Sequence, residues 1–137
     1  MGKSRKKLPP EELFNTPEEY YQGEILYDYT HSKSKMRIQE KITKRALEIV
    51  DINSNPCLIL DIGMGCGFSA SFLHLNGFKV VGIDLIYDML VEYDIAEFNP
   101  INANMIHLPF RENSFDCIFS IEIGSRIKGN TIQSFFR

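Results

Sequence analysis

No stretch of this 137-residue chain approaches the roughly 18 consecutive apolar residues of a membrane-spanning helix, which excludes an integral membrane protein of that kind. Cysteine is scarce: Cys57, Cys66 and Cys117 form no Cys-x-x-Cys pair and no metal-ligand rhythm. An odd, widely spaced set reads as reduced thiols, and so as a cytoplasmic or nuclear protein. The opening MGKSRKKLPP is basic but no apolar core follows it, which argues against a secretory signal. Gly2 lacks the Ser or Thr that acylation would want, because Lys6 stands there. There is no internal repeat and no low-complexity tract. No Ser/His/Asp or Cys/His set stands out, and His31, His74 and His107 have no partners at ligand spacing. They read as surface histidines, and no metal site is expected.

What is present fits one globular domain. Hydrophobic residues make up 44% and charged residues 24%, close to the globular average. The net charge of −3 hides an asymmetry: residues 1–50 carry 10 basic and 8 acidic side chains, residues 51–137 carry 5 and 10. Within residues 31–46, Lys33, Lys35, Arg37, Lys41, Lys44 and Arg45 face only Glu40. A basic patch on an acidic body suits a polyanionic partner such as RNA better than the total charge suggests.

Residues 1–30, rich in proline and tyrosine, read as an irregular arm with a short helix after Pro17. From 31 to 137 the pattern is that of a partial α/β domain. Residues 37–50 carry Ile38, Ile42, Ala46, Leu47, Ile49 and Val50 at helical steps, predicting a helix with that stripe inward and Ser34 as N-cap. Residues 51–56 (DINSNP) are turn chemistry. The continuous apolar run 57–62 predicts a strand buried on both faces. A helix over 68–76 with Phe72, Leu73 and Leu75 inward, stopped by Gly77, follows. Strands over 78–84, 100–103 and 115–121 and a helix over 85–98 complete a parallel-sheet alternation. Asp116 reads as a turn anchor.

The chemistry concentrates in Asp61-Ile-Gly63-Met-Gly65-Cys-Gly67, where a strand ends and a helix opens. Glycines at alternate positions allow a tight turn and close ligand approach, and the helix start offers free N–H groups to an anion. Asp84, at the end of the second strand, can accept from both hydroxyls of a ribose. The third glycine comes one residue earlier than in dinucleotide sites. Asp61 would repel a pyrophosphate but could pair with a ligand ammonium. A nicotinamide oxidoreductase is therefore the distant reading.

The segment LILDIGMGCGFSASFLHLNGFKVVGIDLIYDML resembles motif I through post-I of class I S-adenosylmethionine-dependent methyltransferases. With MRIQEKITKRALEIV upstream and INANMIHLPFRENSFDCIFSI downstream, the likeness over residues 11–121 is to the small-subunit rRNA guanine-N7 methyltransferase family and its archaeal relatives. The resemblance implies a Rossmann-like fold in sheet order 3-2-1-4, with S-adenosylmethionine as cofactor. It implies that backbone around Gly63, Met64, Gly65 and Gly67 wraps the methionine part, with Asp61 near its ammonium. Asp84 would take the ribose and Leu85 would pack on the adenine. Asn104 and Met105 stand where the family has an Asp and an apolar residue at the adenine edge. Ser120 would lie where the target base approaches. No acid–base catalyst is expected, since guanine N7 already carries an exposed lone pair.

The family continues with a Trp-containing segment and three further strands, whereas this chain has no Trp and stops 16 residues after Ile121. The expectation is a partial fold of about four strands, with the fourth an uncovered apolar edge. The resemblance also implies a small zinc-binding activator subunit; a complementing C-terminal chain is the other partner considered. Two rivals stay open: a small-molecule methyltransferase of the same fold, and a non-catalytic fragment that binds cofactor or a partner.

Overall fold

The computed structural model describes residues 15–50, 52 and 57–121. The basic N-terminal tail, most of the 51–56 turn and the last 16 residues lie outside the described residues. Four strands form one parallel sheet: β1 (Leu58–Ile62), β2 (Lys79–Asp84), β3 (Ile101–Asn102) and β4 (Cys117–Phe119), in the order β3-β2-β1-β4. β1 is central because its residues can be buried on both faces: Ile59 and Leu60 point to opposite sides and both are inaccessible. Its register sets Ile59 opposite Val80 and Cys117, and Asp61 opposite Gly82 and Phe119. Asp116 anchors the start of β1, its carboxylate accepting from the Leu58 amide at 2.7 Å.

One face of the sheet is covered by α3 (Lys33–Ile49) and α4 (Phe68–Leu75), which enclose Cys57, Ile59, Ala70, Leu73, Val80 and Phe119. The other face, with Leu60, Ile62 and Ile83, is covered by Met105, Leu108, Phe110 and Phe115 of the segment leading into β4. Among the described residues β4 pairs only with β1, and Ile118 is left exposed. β4 is shorter than the predicted 115–121, as β3 is shorter than 100–103.

Several expectations are corrected. The arm is not irregular beyond α1 (Pro17–Tyr20): Gly23–Thr30 forms a further helix, α2, which ends on buried Thr30. Helix α3 begins four residues early, capped by Ser32 rather than Ser34, the Ser32 hydroxyl accepting from the Lys35 amide. Its inward face is also rotated. Gln39 and Thr43 are buried with Ala46 and Leu47 beside them, while Ile38 is 50% and Ile49 67% exposed. The polar side chains tolerate burial because each has a partner: Thr43 Oγ1 donates to the Gln39 carbonyl at 2.7 Å, and Gln39 Nε2 to the Tyr29 hydroxyl at 2.9 Å.

The predicted helix over 85–98 is only α5 (Tyr87–Leu90), followed by turns and a 3₁₀ turn at Ala96–Phe98. Leu90, Ile95 and Phe98 all enter the core beneath α4. On an unbroken helix Ile95 would point about 140° away from Leu90, so the chain must break for both to be buried. The Tyr93 hydroxyl fixes the break by donating to the Thr30 carbonyl at 2.8 Å. Helix α4 buries Leu73 as expected and half-buries Phe72, but Leu75 is 81% exposed and Ala70 is buried instead. Gly77 ends it with φ +89°, in the left-handed region expected of a C′ glycine.

Candidate functional site

All four strands run the same way, so their carboxyl ends share one edge of the sheet. The glycine loop turns there. The amides of Gly63 and Met64 both donate to the Ile83 carbonyl, at 2.8 and 3.0 Å, strapping the loop over the end of β2. Gly63, Gly65 and Gly67 all have positive φ (73°, 59° and 98°), a run that residues with a Cβ would adopt only under strain. The Met64 side chain does not reach the edge. It is buried beneath the loop, and a Cβ at Gly82 would lie 2.0 Å from its sulfur. Gly82 thus keeps a space that Met64 fills, which no feature of the motif announced.

Asp61 is wholly inaccessible. Its Oδ2 accepts from the Ser69 hydroxyl at 2.6 Å, while Oδ1 has no hydrogen-bond partner among the described residues. Burial pushes its pKa up to about 7; the Ser69 hydrogen bond opposes the shift and the nearby Asp84 charge adds to it. Ser69 was missed from the sequence. The hint available was a hydroxyl in the first turn of the helix that the motif opens.

Asp84 bridges loop and strand end. Its Oδ2 accepts from the Gly65 amide and its Oδ1 from the Ile86 amide, each at 2.8 Å. Burial raises its pKa too, and the amides of Ile86, Gly65 and Leu85 counter that. Leu85 beside it is exposed. β3 continues the edge: the Ala103 amide donates to the Asp84 carbonyl at 3.0 Å, and the next residue, Asn104, is exposed. Asn104 Oδ1 accepts from the Ile106 amide at 3.0 Å, closing an Asx turn that commits its carbonyl to the backbone. Met105 turns inward instead, against the cluster on that face of the sheet. Ser120, exposed, directly follows β4, whose Phe119 pairs with Asp61.

The basic residues divide between two faces of α3. Lys33, Arg37, Lys41 and Lys44 recur at four- and three-residue steps and form one exposed stripe. Lys35 lies on another side, its ammonium 5.1 Å from the centre of the Tyr29 ring. Two of the histidines are exposed and face carboxylates, His74 Nε2 at 2.9 Å from Glu97 and His31 Nδ1 at 3.9 Å from Glu92. Cys66, inside the loop, is buried, and its thiol is pushed up to about 12, so it is no nucleophile. No helix among the described residues is long and apolar enough to cross a membrane.

The chain is 36% identical over 114 residues to an 18S rRNA (guanine-N(7))-methyltransferase of Bos taurus, covering 80% of this chain and 41% of that one. It is 38% identical over 117 residues to the 18S rRNA (guanine(1575)-N(7))-methyltransferase of Saccharomyces cerevisiae, covering 82% and 42%. An uncharacterized protein of Methanocaldococcus jannaschii is 34% identical over 71 residues, 52% of this chain and 30% of that one. The chain therefore spans about two fifths of the length of the two rRNA methyltransferases. The methyltransferase domain family matches residues 60–131, which take in the glycine loop, Asp61, Asp84 and the segment around Asn104. On that match, with the β3-β2-β1-β4 parallel sheet beneath it, the chain belongs to the methyltransferase domain family.

Proposed function

We propose that this chain is the cofactor-binding part of an S-adenosylmethionine-dependent methyltransferase acting on guanine N7 of ribosomal RNA. The observation that carries the cofactor reading is the orphaned Oδ1 of Asp61, at the end of β1 where the glycine loop begins. An ammonium group is the partner such an oxygen lacks, and it would repay the cost of a buried carboxylate. The cofactor would supply an electrophilic methyl group on a sulfonium.

The chain's own groups account for the rest. Gly63, Gly65 and Gly67 present backbone without Cβ atoms to whatever lies on the loop. Both Asp84 oxygens hold an amide, yet a carboxylate oxygen has two acceptor sites, so each can still take a ribose hydroxyl. Leu85 offers an exposed apolar surface for a purine. Neither His nor Cys is needed as a base, because N7 attacks through a lone pair that bears no proton. The role of the protein is alignment, and holding two reactants in line can supply much of the barrier reduction.

RNA as acceptor rests on the relatives' names and on the stripe Lys33, Arg37, Lys41 and Lys44, with Lys35 apart from it. Within the same reading, residues 31–137 carry the domain and residues 1–30 the arm that leads into it. A zinc-binding activator subunit or a complementing chain is the partner to be sought. Free Cys57, Cys66 and Cys117 accord with a cytoplasmic or nuclear setting.

The test is calorimetry of the chain with S-adenosylmethionine and with NAD. Preference for the former is expected, with Asp84→Ala weakening it about tenfold to 150-fold by loss of charged hydrogen bonds. Tighter NAD binding would sink the cofactor assignment. Methylation of a small molecule but not of rRNA, with either partner supplied, would sink the acceptor.

A further inference from the structure

A groove of about 650 Å³ runs between α3, α4 and the turns that follow α5. Met36, Leu75, Tyr93 and Phe98 supply its apolar surface, and Leu75 is the most exposed large hydrophobic side chain among the described residues. The groove backs onto the glycine loop, whose last residues, Cys66 and Gly67, form part of its wall. Its border is mainly acidic: Glu40 reaches it from α3, and Asp94 and Glu97 from the turns. His74 meets Glu97, but Glu40 and Asp94 have no hydrogen-bond or ion-pair partner among the described residues. Lys33 also borders the groove, yet it belongs to the exposed stripe that continues through Arg37 and Lys41 on another side of α3. His31, at the same end, faces Glu92 at 3.9 Å.

We propose that residues 3–8 of this chain, KSRKKL, dock in the groove, their cations against Glu40 and Asp94 and Leu8 against Leu75. Charge decides the class of occupant. Unpartnered carboxylates repel a phosphate backbone and attract a cationic segment. Lys3, Arg5, Lys6 and Lys7 place four cations in five residues, and Leu8 follows them directly. The acidic Glu11 and Glu12 fall outside the run, in the stretch that connects it to Asn15. Reach is sufficient. Asn15 lies eight residues after Lys7, a span of up to about 26 Å for extended chain. The arm itself is close by, since Ser32 borders both this groove and the neighbouring cavity walled by Tyr20 and Tyr21. Tethering decides between this segment and a foreign basic peptide. A short tether holds its segment at an effective concentration on the order of millimolar, so exposed ion pairs of modest worth suffice.

The experiment compares amide NMR spectra of the full chain with those of Lys3→Gln/Arg5→Gln/Lys6→Gln/Lys7→Gln, which leaves the described residues untouched. Shift changes should gather at Met36, Glu40, Leu75 and Asp94. The same amides should move when the unaltered chain is taken to about 1 M salt, where charges are screened within about 3 Å. A labelled peptide of residues 1–10 should bind the neutralised chain, as read by anisotropy. Glu40→Gln/Asp94→Asn in that chain should weaken the peptide about twofold to thirtyfold, the worth of two exposed ion pairs, with thermal melting confirming the fold. Leu8→Ala in the peptide should weaken it as well. Shift changes that miss the groove overturn the proposal, as does peptide binding indifferent to Glu40→Gln/Asp94→Asn. Binding indifferent to Leu8→Ala means that charge alone attracts the segment, and overturns its docking. Shift changes that appear only as the chain is concentrated put the segment in the groove of a second copy, and overturn docking within one chain.

Discussion

Asp61 makes a quantitative claim about protons. In the free chain its carboxyl is held up at about 7, chiefly by burial, with one oxygen bonded to Ser69 and the other unpartnered. An ammonium placed at that oxygen stabilises the charged form, so binding must expel whatever proton the carboxyl carries. At pH 7 the carboxyl is half protonated, and each ligand bound should release about half a proton. If pairing drops the carboxyl below pH 5, affinity falls about fivefold from pH 7 to pH 6 and approaches a further tenfold in the next unit. The upper limit of the window is set by the ligand, since an α-amino group loses its own proton near pH 8. Titrating S-adenosylhomocysteine by calorimetry at pH 7, in buffers of different ionisation enthalpy, counts the protons directly. Asp61→Asn should bind more weakly and abolish the release. Release that persists in Asp61→Asn, or none in the wild type, would refute the ammonium role.

The same shift fixes a sign for stability. A carboxyl raised in the folded state keeps more protons folded than unfolded between about pH 4 and pH 7, so its contribution is lost as pH rises through that window. Asp84 is shifted the same way and adds to the trend. The ligand-free chain should therefore melt higher at pH 5.5 than at pH 8, and Asp61→Asn should narrow the gap.

Three further outcomes are expected. Gly82→Ala drives a methyl group into the buried Met64 sulfur and should lower the urea-unfolding free energy by about 1–3 kcal/mol, with Gly82→Ala/Met64→Ala recovering part of it. Asn104→Asp keeps the turn to the Ile106 amide and adds a charged acceptor, so affinity for S-adenosylhomocysteine should rise about threefold to tenfold by calorimetry, with no gain for the analogue lacking the adenine amine. RNA affinity should fall with salt, and Lys41→Glu/Lys44→Glu should flatten that slope by about 0.7 per contact removed; a wild-type slope near zero would return the stripe to an ordinary solvated face.

What was legible in the sequence was what is locally determined. The run 57–62 has one stable use, a strand buried on both faces, and the glycines after it have one conformation that suits them. Asp61 and Asp84 stand out beside those, whereas the order of the strands was implied by the resemblance to the methyltransferases. What could not be read depends on partners far along the chain. The inward face of α3 is set by Gln39 reaching Tyr29, and the break after Leu90 by Tyr93 reaching Thr30, neither visible to a hydrophobicity count. Ile38, Ile42 and Ile49 score as a core stripe and lie exposed, because burial went to polar residues whose hydrogen bonds were met. Ser69 fell between the two cases: close to the motif, but meaningful only once α4 turns it back on Asp61.

These features share one energetic character. A carboxylate without solvent and with half its acceptors idle destabilises the fold, and ordering a loop with three glycines costs backbone entropy. Neither is needed to build the sheet, since Asn at position 61 would keep the Ser69 hydrogen bond without the charge. The fold tolerates these costs because the loop is tied down elsewhere, by two amides to Ile83 and one to Asp84. Stability and affinity should therefore move in opposite directions at Asp61 and together at Gly82. On the proposed reading Asp61 is held for the ligand at a cost to the fold, whereas Gly82 leaves room for Met64 beneath the loop, and its loss should harm both. Measuring melting and cofactor affinity on the same two variants separates a residue held for binding from one held for packing.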